Sequence, residues 1–372
     1  MGTLNLKASH KENFVFPLRT YFDELLKNVR PPQHRIEAAQ ELPPLVREYI
    51  KQSKEFPTVY PHTRLTGSYP QKMGAGDVKD VDTLVHVPGD PEKNEPEAKQ
   101  LILDLKNLLD GLPEYLEDEG YAEIDIERAR RSIHVYFKNK DFHLDFVPCI
   151  APDGFEEVIY VPDRGFNEWI ASHPIGYINL LNELQKEHDG KVKPLGILLK
   201  HFRNYQMKTR KPKSYWLGAL LVYHIQSGNL DTSQDLGVLF HDLLDAIYCQ
   251  YDHLLWISSD ATPNIPDPML GHNVSWNWDR SHFETFMRRI DDGRRWATKA
   301  LETDNREKAI AYWQKIFGEE YFPSEVETAA STLASAGFPG KSYVNSTGLI
   351  LPSQPASGLY TATQATKFHG AE

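Results

Sequence analysis

With 372 residues the chain exceeds what one compact core usually holds, so two packed lobes and a tail are expected. Hydrophobic content of 40% and charged content of 25% fit a globular protein and exclude a wholly disordered one. Forty-one basic residues against 52 acidic ones leave a net charge of -11, which argues against stable DNA binding but not against one local phosphate site. No apolar run approaches the roughly 20 residues of a membrane-spanning helix, and the polar opening MGTLNLKASHKEN lacks a signal-peptide core. A cytoplasmic protein without a membrane partner is expected. Two cysteines, Cys149 and Cys249, cannot build a disulfide framework, and no CxxC or His/Cys spacing suggests structural zinc.

Phe14, Leu18, Tyr21, Phe22, Leu25, Leu26 and Val29 recur at helical spacing until Arg30-Pro31-Pro32 stops the run. A second helical stretch carries Ile36, Leu42, Leu45, Val46 and Ile50, bent if not broken at Pro43-Pro44. Val81 to Val87 reads as a strand closed by Pro88-Gly89-Asp90, followed by an amphipathic helix through Leu101, Leu105 and Leu109. Ile133, Val135 and Phe137 alternate with His134 and Tyr136; after a turn at Asn139-Lys140, Phe142, Leu144 and Phe146 alternate again. That pattern predicts a β-hairpin. From about Asn167 the periodicity is mainly helical, near 178–184, 195–202, 216–225, 236–248, 282–301 and 307–317. The fold class is therefore α+β: a mixed lobe over 1–165 with N-terminal helices, a helical lobe over 166–323, and a tail over 324–372. Between Thr328 and Glu372 only Lys341, Lys367 and Glu372 are charged, a composition that predicts flexibility.

The chemistry concentrates in LTGSYPQKMGAGDVKDVDTLVHV, where Gly67-Ser68 precede Asp80-Val81-Asp82 by an eleven-residue spacer. In a strand, residues two apart share a face, so Asp80 and Asp82 project together while Val81 enters the core. Two such carboxylates suit hard divalent cations, Mg2+ above all. Gly67 admits a phosphate close to the backbone, and Ser68 adds a hydroxyl donor. An isolated Asp-x-Asp is usually a solvated strand edge; the apolar flanks and the preceding Gly-Ser make this one far more specific. A third acid, Asp145 in FHLDFVP, is out of phase with its apolar neighbours and can meet the pair from an adjacent strand. Three clustered carboxylates repel unless cations neutralise them, which suits a two-metal centre for in-line phosphoryl displacement.

Positive charge comes from the second half. From Lys191 to Lys213 there are eight basic residues and no acidic one. Lys200 sits on the apolar-periodic LGILLKHFRNY, where its stem can be partly buried and its ammonium directed. Ser214-Tyr215 can open the next helix, with Tyr215 free to stack on a base or to pack in the core. A solvated helix face is the plainer explanation of the basic run.

Taken together these residues resemble the DNA-polymerase-β-like nucleotidyltransferase superfamily. More narrowly, the chain resembles the CD-NTases, bacterial relatives of cyclic GMP-AMP synthase, across residues 12 to 323. The likeness rests on LTGSY...DVDTLVHV, HLDFVPCI, KPLGILLKHFRNY, KSYWLGALLVYHI, IPDPMLGHNVSW and WQKIFGEEYFP. It implies a nucleotidyltransferase core with a mixed sheet packed against a helical lobe. Asp80, Asp82 and Asp145 would hold two Mg2+ as the catalytic acids. Gly67, Ser68, Lys200 and Ser214 would bind the donor triphosphate, and Tyr215 would stack on its base. It further implies joining of ATP and/or GTP into a cyclic di- or trinucleotide with release of pyrophosphate, for antiphage signalling. Defence-system regulatory or conjugating proteins are implied partners through the tail ending Phe368-His369-Gly370-Ala371-Glu372. Where many relatives carry a Thr shortly after Gly-Ser, this chain has Gln71-Lys72-Met73, and the animal enzyme's zinc insertion is absent.

Three rivals compete: a nucleotidyltransferase that modifies a protein, an RNA end or a small molecule; a sugar transferase holding a sugar-nucleotide's metal with Asp-x-Asp; and a degenerate scaffold. The second lacks a βαβ nucleotide-binding region before the motif, and the presence of all three acids argues against the third.

Overall fold

The computed structural model describes residues 18–76, 80–121, 123–257 and 260–326, and three two-residue strands beyond them. Residues up to Ser324 form one compact unit, and Glu325 onward a second.

The first unit begins with α1 (Arg19–Asn28), whose stripe Tyr21, Phe22, Leu25 and Val29 is buried; Phe14, read as part of this helix, lies outside the described residues. Although it leads the chain, α1 packs on the helical half, the Phe22 ring meeting Trp313 edge-on at 5.0 Å. Next comes α2 (Gln33–Gln52), one helix that carries both Pro43 and Pro44. Each proline removes an amide donor. Burial of Ala38, Ala39 and Leu42 before them and of Val46 and Ile50 after them, in one core, holds the helix across the gap.

β1 (Thr63–Thr66), the one-turn α3 (Ser68–Gln71) and β2 (Asp80–His86) follow. Then come α4 (Ala98–Leu109), the short α5 (Leu112–Tyr115), β3 (Ile124–Arg128), β4 (Ile133–Phe137) and β5 (Phe142–Cys149). The five strands make a mixed sheet ordered β1-β2-β5-β4-β3, in which β2 and β5 are parallel and every other pair is antiparallel. The expected β4–β5 hairpin is present, turned through Lys138–Lys140 and a left-handed Asp141. Val81, Val85, Val135, Phe142, Leu144 and Phe146 line one face of the sheet, covered by α2 and α4. Strand alternation places every intervening side chain on the opposite face.

β6 (Ile159–Asp163) and β7 (Glu168–Ser172) form a second hairpin, of which β7 lies past Asn167, where mainly helical chain was expected. Neither alternates as cleanly as β4: Pro162 interrupts β6, and β7 reads Glu-Trp-Ile-Ala-Ser. Six helices and one further helical turn complete the unit: α6 (Pro174–Glu187), α7 (Val192–Gln206), α8 (Ser214–Gln226), α9 (Leu236–Tyr251), the turn α10 (Leu254–Ile257), α11 (Arg280–Glu302) and α12 (Arg306–Phe317). Each longer helix falls where its apolar stripe put it. The α+β architecture with a helical second half is as expected.

In the second unit, β8 (Tyr343–Val344), β9 (Ile350–Leu351) and β10 (Thr361–Ala362) pair antiparallel in the order β10-β8-β9. The flexibility predicted for 324–372, and the role read into Phe368–Glu372, fall otherwise on residues outside those described. Among the described residues no helix is long and apolar enough to cross a membrane.

Candidate active site

Sheet register brings the three acids together. Asp82 on β2 is the direct partner of Asp145 on β5, Asp80 is the partner of His143, and Thr66 on β1 flanks Asp82 from the other side. Because their apolar neighbours face α2 and α4, all three carboxylates emerge on the uncovered face. The charge is unbalanced. Burial, and then the nearby Asp80 and Asp145 carboxylates, push the Asp82 carboxyl up to about 7. Burial also raises Asp145, opposed by a hydrogen bond from the His134 ring.

Gly67 sets the distance of closest approach. It adopts φ 74° and ψ -155°, a region essentially confined to glycine, and a Cβ there would collide with the Asp82 carboxylate. The chain then turns into α3 at Ser68. Gly67, Ser68, Asp80 and Asp82 line one side of a cleft of about 400 Å3 whose other side carries Lys200, Ser214 and Tyr215. Seven of the eight residues singled out in the sequence therefore share one cavity, and Asp145 stands beside Asp82 at its edge.

The basic run divides by role. Lys191 is not in the cleft: its Nζ donates to the carbonyls of Thr232, Ser233 and Gln234 at 2.8–3.0 Å. Lys191, Ser233 and Gln234 border a larger cavity of about 620 Å3 that contains no part of the acid cluster. Lys193 donates to Asn182 Oδ1 at 2.6 Å. Lys200 and Arg203, one turn apart on α7, are the two that face the cleft. Lys200 Nζ donates to Met73 O at 3.1 Å, and burial pulls its ammonium down to about 8. The Arg203 guanidinium donates to Pro212 O at 2.7 Å and to Ser214 Oγ at 3.1 Å; burial lowers it to about 10, so it stays charged at neutral pH.

Gln71-Lys72-Met73, the departure from the usual Thr, has a packing role. Met73 is buried against Gly196 of α7, where a Cβ would strike its Sδ–Cε end, and its carbonyl receives the Lys200 ammonium. The segment thus docks the turn after Gly67-Ser68 onto α7. Tyr215 opens α8 beside Tyr177, their rings edge to face at 5.1 Å, and donates its hydroxyl to Asp267 Oδ2 at 2.9 Å. Asp267 is in turn held by the amides of Met269 and Leu270. Arg203, Tyr177 and Asp267 were not singled out as site residues from the sequence. Asp267 carried one signal, an acid enclosed by prolines in IPDPM. Neither were His134 and His143, although each alternates in phase with the carboxylate-bearing face.

The donor set fits a divalent cation: three carboxylates converge, and burial together with the other two raises Asp82 to about 7. The arrangement pairs an anionic cluster with a cationic wall across a polar cleft, which suits a polyphosphate substrate carried on metal.

Residues 17–184 match a family profile described as the Second Messenger Oligonucleotide or Dinucleotide Synthetase domain. A Cyclic AMP-AMP-AMP synthase of an Acinetobacter strain is 26% identical over 351 residues, which cover 92% of this chain and 96% of that protein. A Cyclic AMP-AMP-GMP synthase of Enterobacter hormaechei is 25% identical over 168 residues, 44% of this chain and 42% of its own. In fold, the chain is similar to E. coli MS115-1 CdnC with ATP, at a TM-score of 0.62 and 15% identity over 82% of this chain and 99% of that one. Vibrio cholerae DncV in its GTP-bound form aligns at 0.54 and 17% identity, covering 82% and 86%.

Proposed function

Because the chain belongs to the CD-NTase family of nucleotidyltransferases, we propose that it joins nucleoside triphosphates into a cyclic oligonucleotide second messenger for antiphage signalling. The observation that carries this is the direct Asp82–Asp145 pairing at the edge of a cleft whose far wall is Lys200, Arg203 and Tyr215. ATP is the first substrate to test, and a cyclic trinucleotide the first product, since the relative matched nearly end to end is named for that ring.

Asp80, Asp82 and Asp145 would hold Mg2+, which supplies charge stabilisation to the reacting phosphate and pyrophosphate oxygens. The chain's own residues do the rest. Gly67 lets the donor's phosphates lie against the backbone beside Asp82, and Ser68 offers its hydroxyl. Lys200 neutralises the outer phosphates; Arg203 fixes Ser214, which donates to them. Tyr215, its hydroxyl tied to Asp267, presents a fixed ring face to the donor base. The acceptor ribose oxygen attacks the α-phosphorus, forming one P–O bond as the bond to the β-phosphate bridge breaks and pyrophosphate departs. Asp145 accepts the hydroxyl proton. Regulation by a partner protein engaging the C-terminal residues belongs to the same proposal.

Purified protein incubated with Mg2+ and all four ribonucleoside triphosphates should release a phosphatase-resistant cyclic product whose mass identifies its bases. Triphosphate consumption only when a protein, RNA or small-molecule acceptor is added would overturn the reading in favour of a modifying transferase.

Lys200→Met keeps the buried stem and removes the charge. KM for the donor should rise roughly 10- to 100-fold, the worth of one charge-assisted hydrogen bond. In the wild type, KM should climb above pH 8, because an ammonium lowered to about 8 is charged below that pH and neutral above it. Initial rates across a pH series check both; a flat KM up to pH 10 would remove Lys200 from the phosphate site.

A further inference from the structure

Two histidines flank Asp145 that the nucleotidyl transfer described above does not use. His134 on β4 stands directly across from Asp145, and its Nδ1 is hydrogen-bonded to Asp145 Oδ1. His143 lies two residues before Asp145 on β5 and so projects from the same face. The two imidazoles meet edge to face, with centroids 6.0 Å apart and planes at 88°. One ligand atom from each of His134, His143 and Asp145 lies within 4.8 Å of the other two. All three side chains are partly exposed, so an ion from solvent can reach them.

From this cluster we infer a second cation site, selective for a borderline transition ion such as Zn2+, that shares Asp145 with the Asp80/Asp82 site. The donor set decides the ion. Two imidazole nitrogens and one carboxylate oxygen favour Zn2+ or Co2+, whereas Mg2+ takes oxygen ligands almost exclusively. Two histidines and a carboxylate also leave a fourth position open for water, as in open zinc sites. Sharing has a consequence, which rests on the function proposed above: an ion held by His134 and His143 draws Asp145 away from Asp80 and Asp82. Zn2+ therefore inhibits Mg2+-supported synthesis.

The site is tested without any nucleotide. In untagged, metal-free protein carrying Cys249→Ser, which removes the exposed thiol, calorimetric titration with Zn2+ should show one ion per chain. Asp80→Ala/Asp82→Ala should retain that ion. His143→Gln, which leaves the His134–Asp145 pair in place, should weaken it at least about tenfold, the least that even an outer-shell partner is worth. Co2+ in place of Zn2+ should give a visible d–d band that His143→Gln loses. His134→Gln provides an independent second variant, and thermal midpoints without metal establish that each variant folds. Equal zinc affinity in wild type and both histidine variants, or loss of the ion in Asp80→Ala/Asp82→Ala, overturns the site. Added Zn2+ should also lower the synthesis rate in wild type more than in His143→Gln, and equal inhibition would refute the sharing of Asp145. Because binding is read without triphosphate, a protein that makes no cyclic product would refute the proposed function and leave this site standing.

Discussion

Asp82→Asn is expected to abolish synthesis and, in the same protein, to raise thermal stability at pH 8 in the absence of metal. Loss of one anionic ligand from the acid triad should cost at least about a thousandfold in turnover, since transition-state charge is no longer neutralised at that position. The stability change has the opposite sign because Asp82 is held against its own interest: burial and two neighbouring carboxylates raise it from 3.8 to about 7. A folded-state acid raised in this way holds a proton that the unfolded chain has already released. Stability therefore falls as pH rises from about 4 to 7, and stays reduced above 7. Asn carries no charge to desolvate, so the variant escapes a cost on the order of a few kcal/mol. The gap between the two melting curves should close near pH 4 and be full at pH 8. Mg2+ should narrow it by stabilising only the wild type. Calorimetric melts at the two pH values, with and without Mg2+, decide it; a variant less stable than wild type at pH 8 would contradict the assigned electrostatics.

Gly67→Ala carries the second large effect. The position combines φ 74° with ψ -155°, which costs an L-residue about 1–3 kcal/mol before any contact is considered. The new methyl then runs into the Asp82 carboxylate. Either Asp82 turns away from Asp80 and Asp145, or the turn into α3 shifts and takes Ser68 with it. Displacement of about 1 Å at a reacting centre is enough for roughly a hundredfold loss. Synthesis should fall by at least that factor, with a thermal midpoint a few degrees lower, since a loss of about 1–3 kcal/mol is spread over a large cooperative unit. Gly76, also at positive φ but with nothing within 4 Å of its would-be Cβ, is the control: Gly76→Ala pays the backbone strain alone and should keep most activity. Equal activity losses in the two variants would mean that the contact with Asp82 is not what matters.

The helices were legible because an apolar stripe at 3.6-residue spacing is a local property: α7, α8, α9, α11 and α12 lie where their buried residues recur. Alternation made the β4–β5 hairpin legible in the same way. β3, β6 and β7 escaped that reading although each pairs with a strand close to it in the chain: β3 ends in the charged Glu127-Arg128, Pro162 interrupts β6, and β7 reads Glu-Trp-Ile-Ala-Ser without clean alternation. Pro43 and Pro44 show the limit from the other side: local rules break α2, and the core beneath it does not allow the break.

The acids divide along the same line. That Asp80 and Asp82 share a face follows from strand geometry alone, and the sequence by itself determined it, together with the chemistry those residue types can perform. That Asp145 meets them depends on β2 and β5 pairing in parallel, in a register that sets Asp82 against it across more than sixty residues of intervening chain. The tertiary structure alone settled which members of the basic run turn to the cleft: Lys191, just before α7, is tied to the carbonyls of 232–234, whereas Lys200, within α7, reaches Met73. It alone also placed His134 and His143 beside Asp145. The reason is physical: side-chain direction within one element is set by local backbone geometry, but convergence between elements is set by the packing of the whole core.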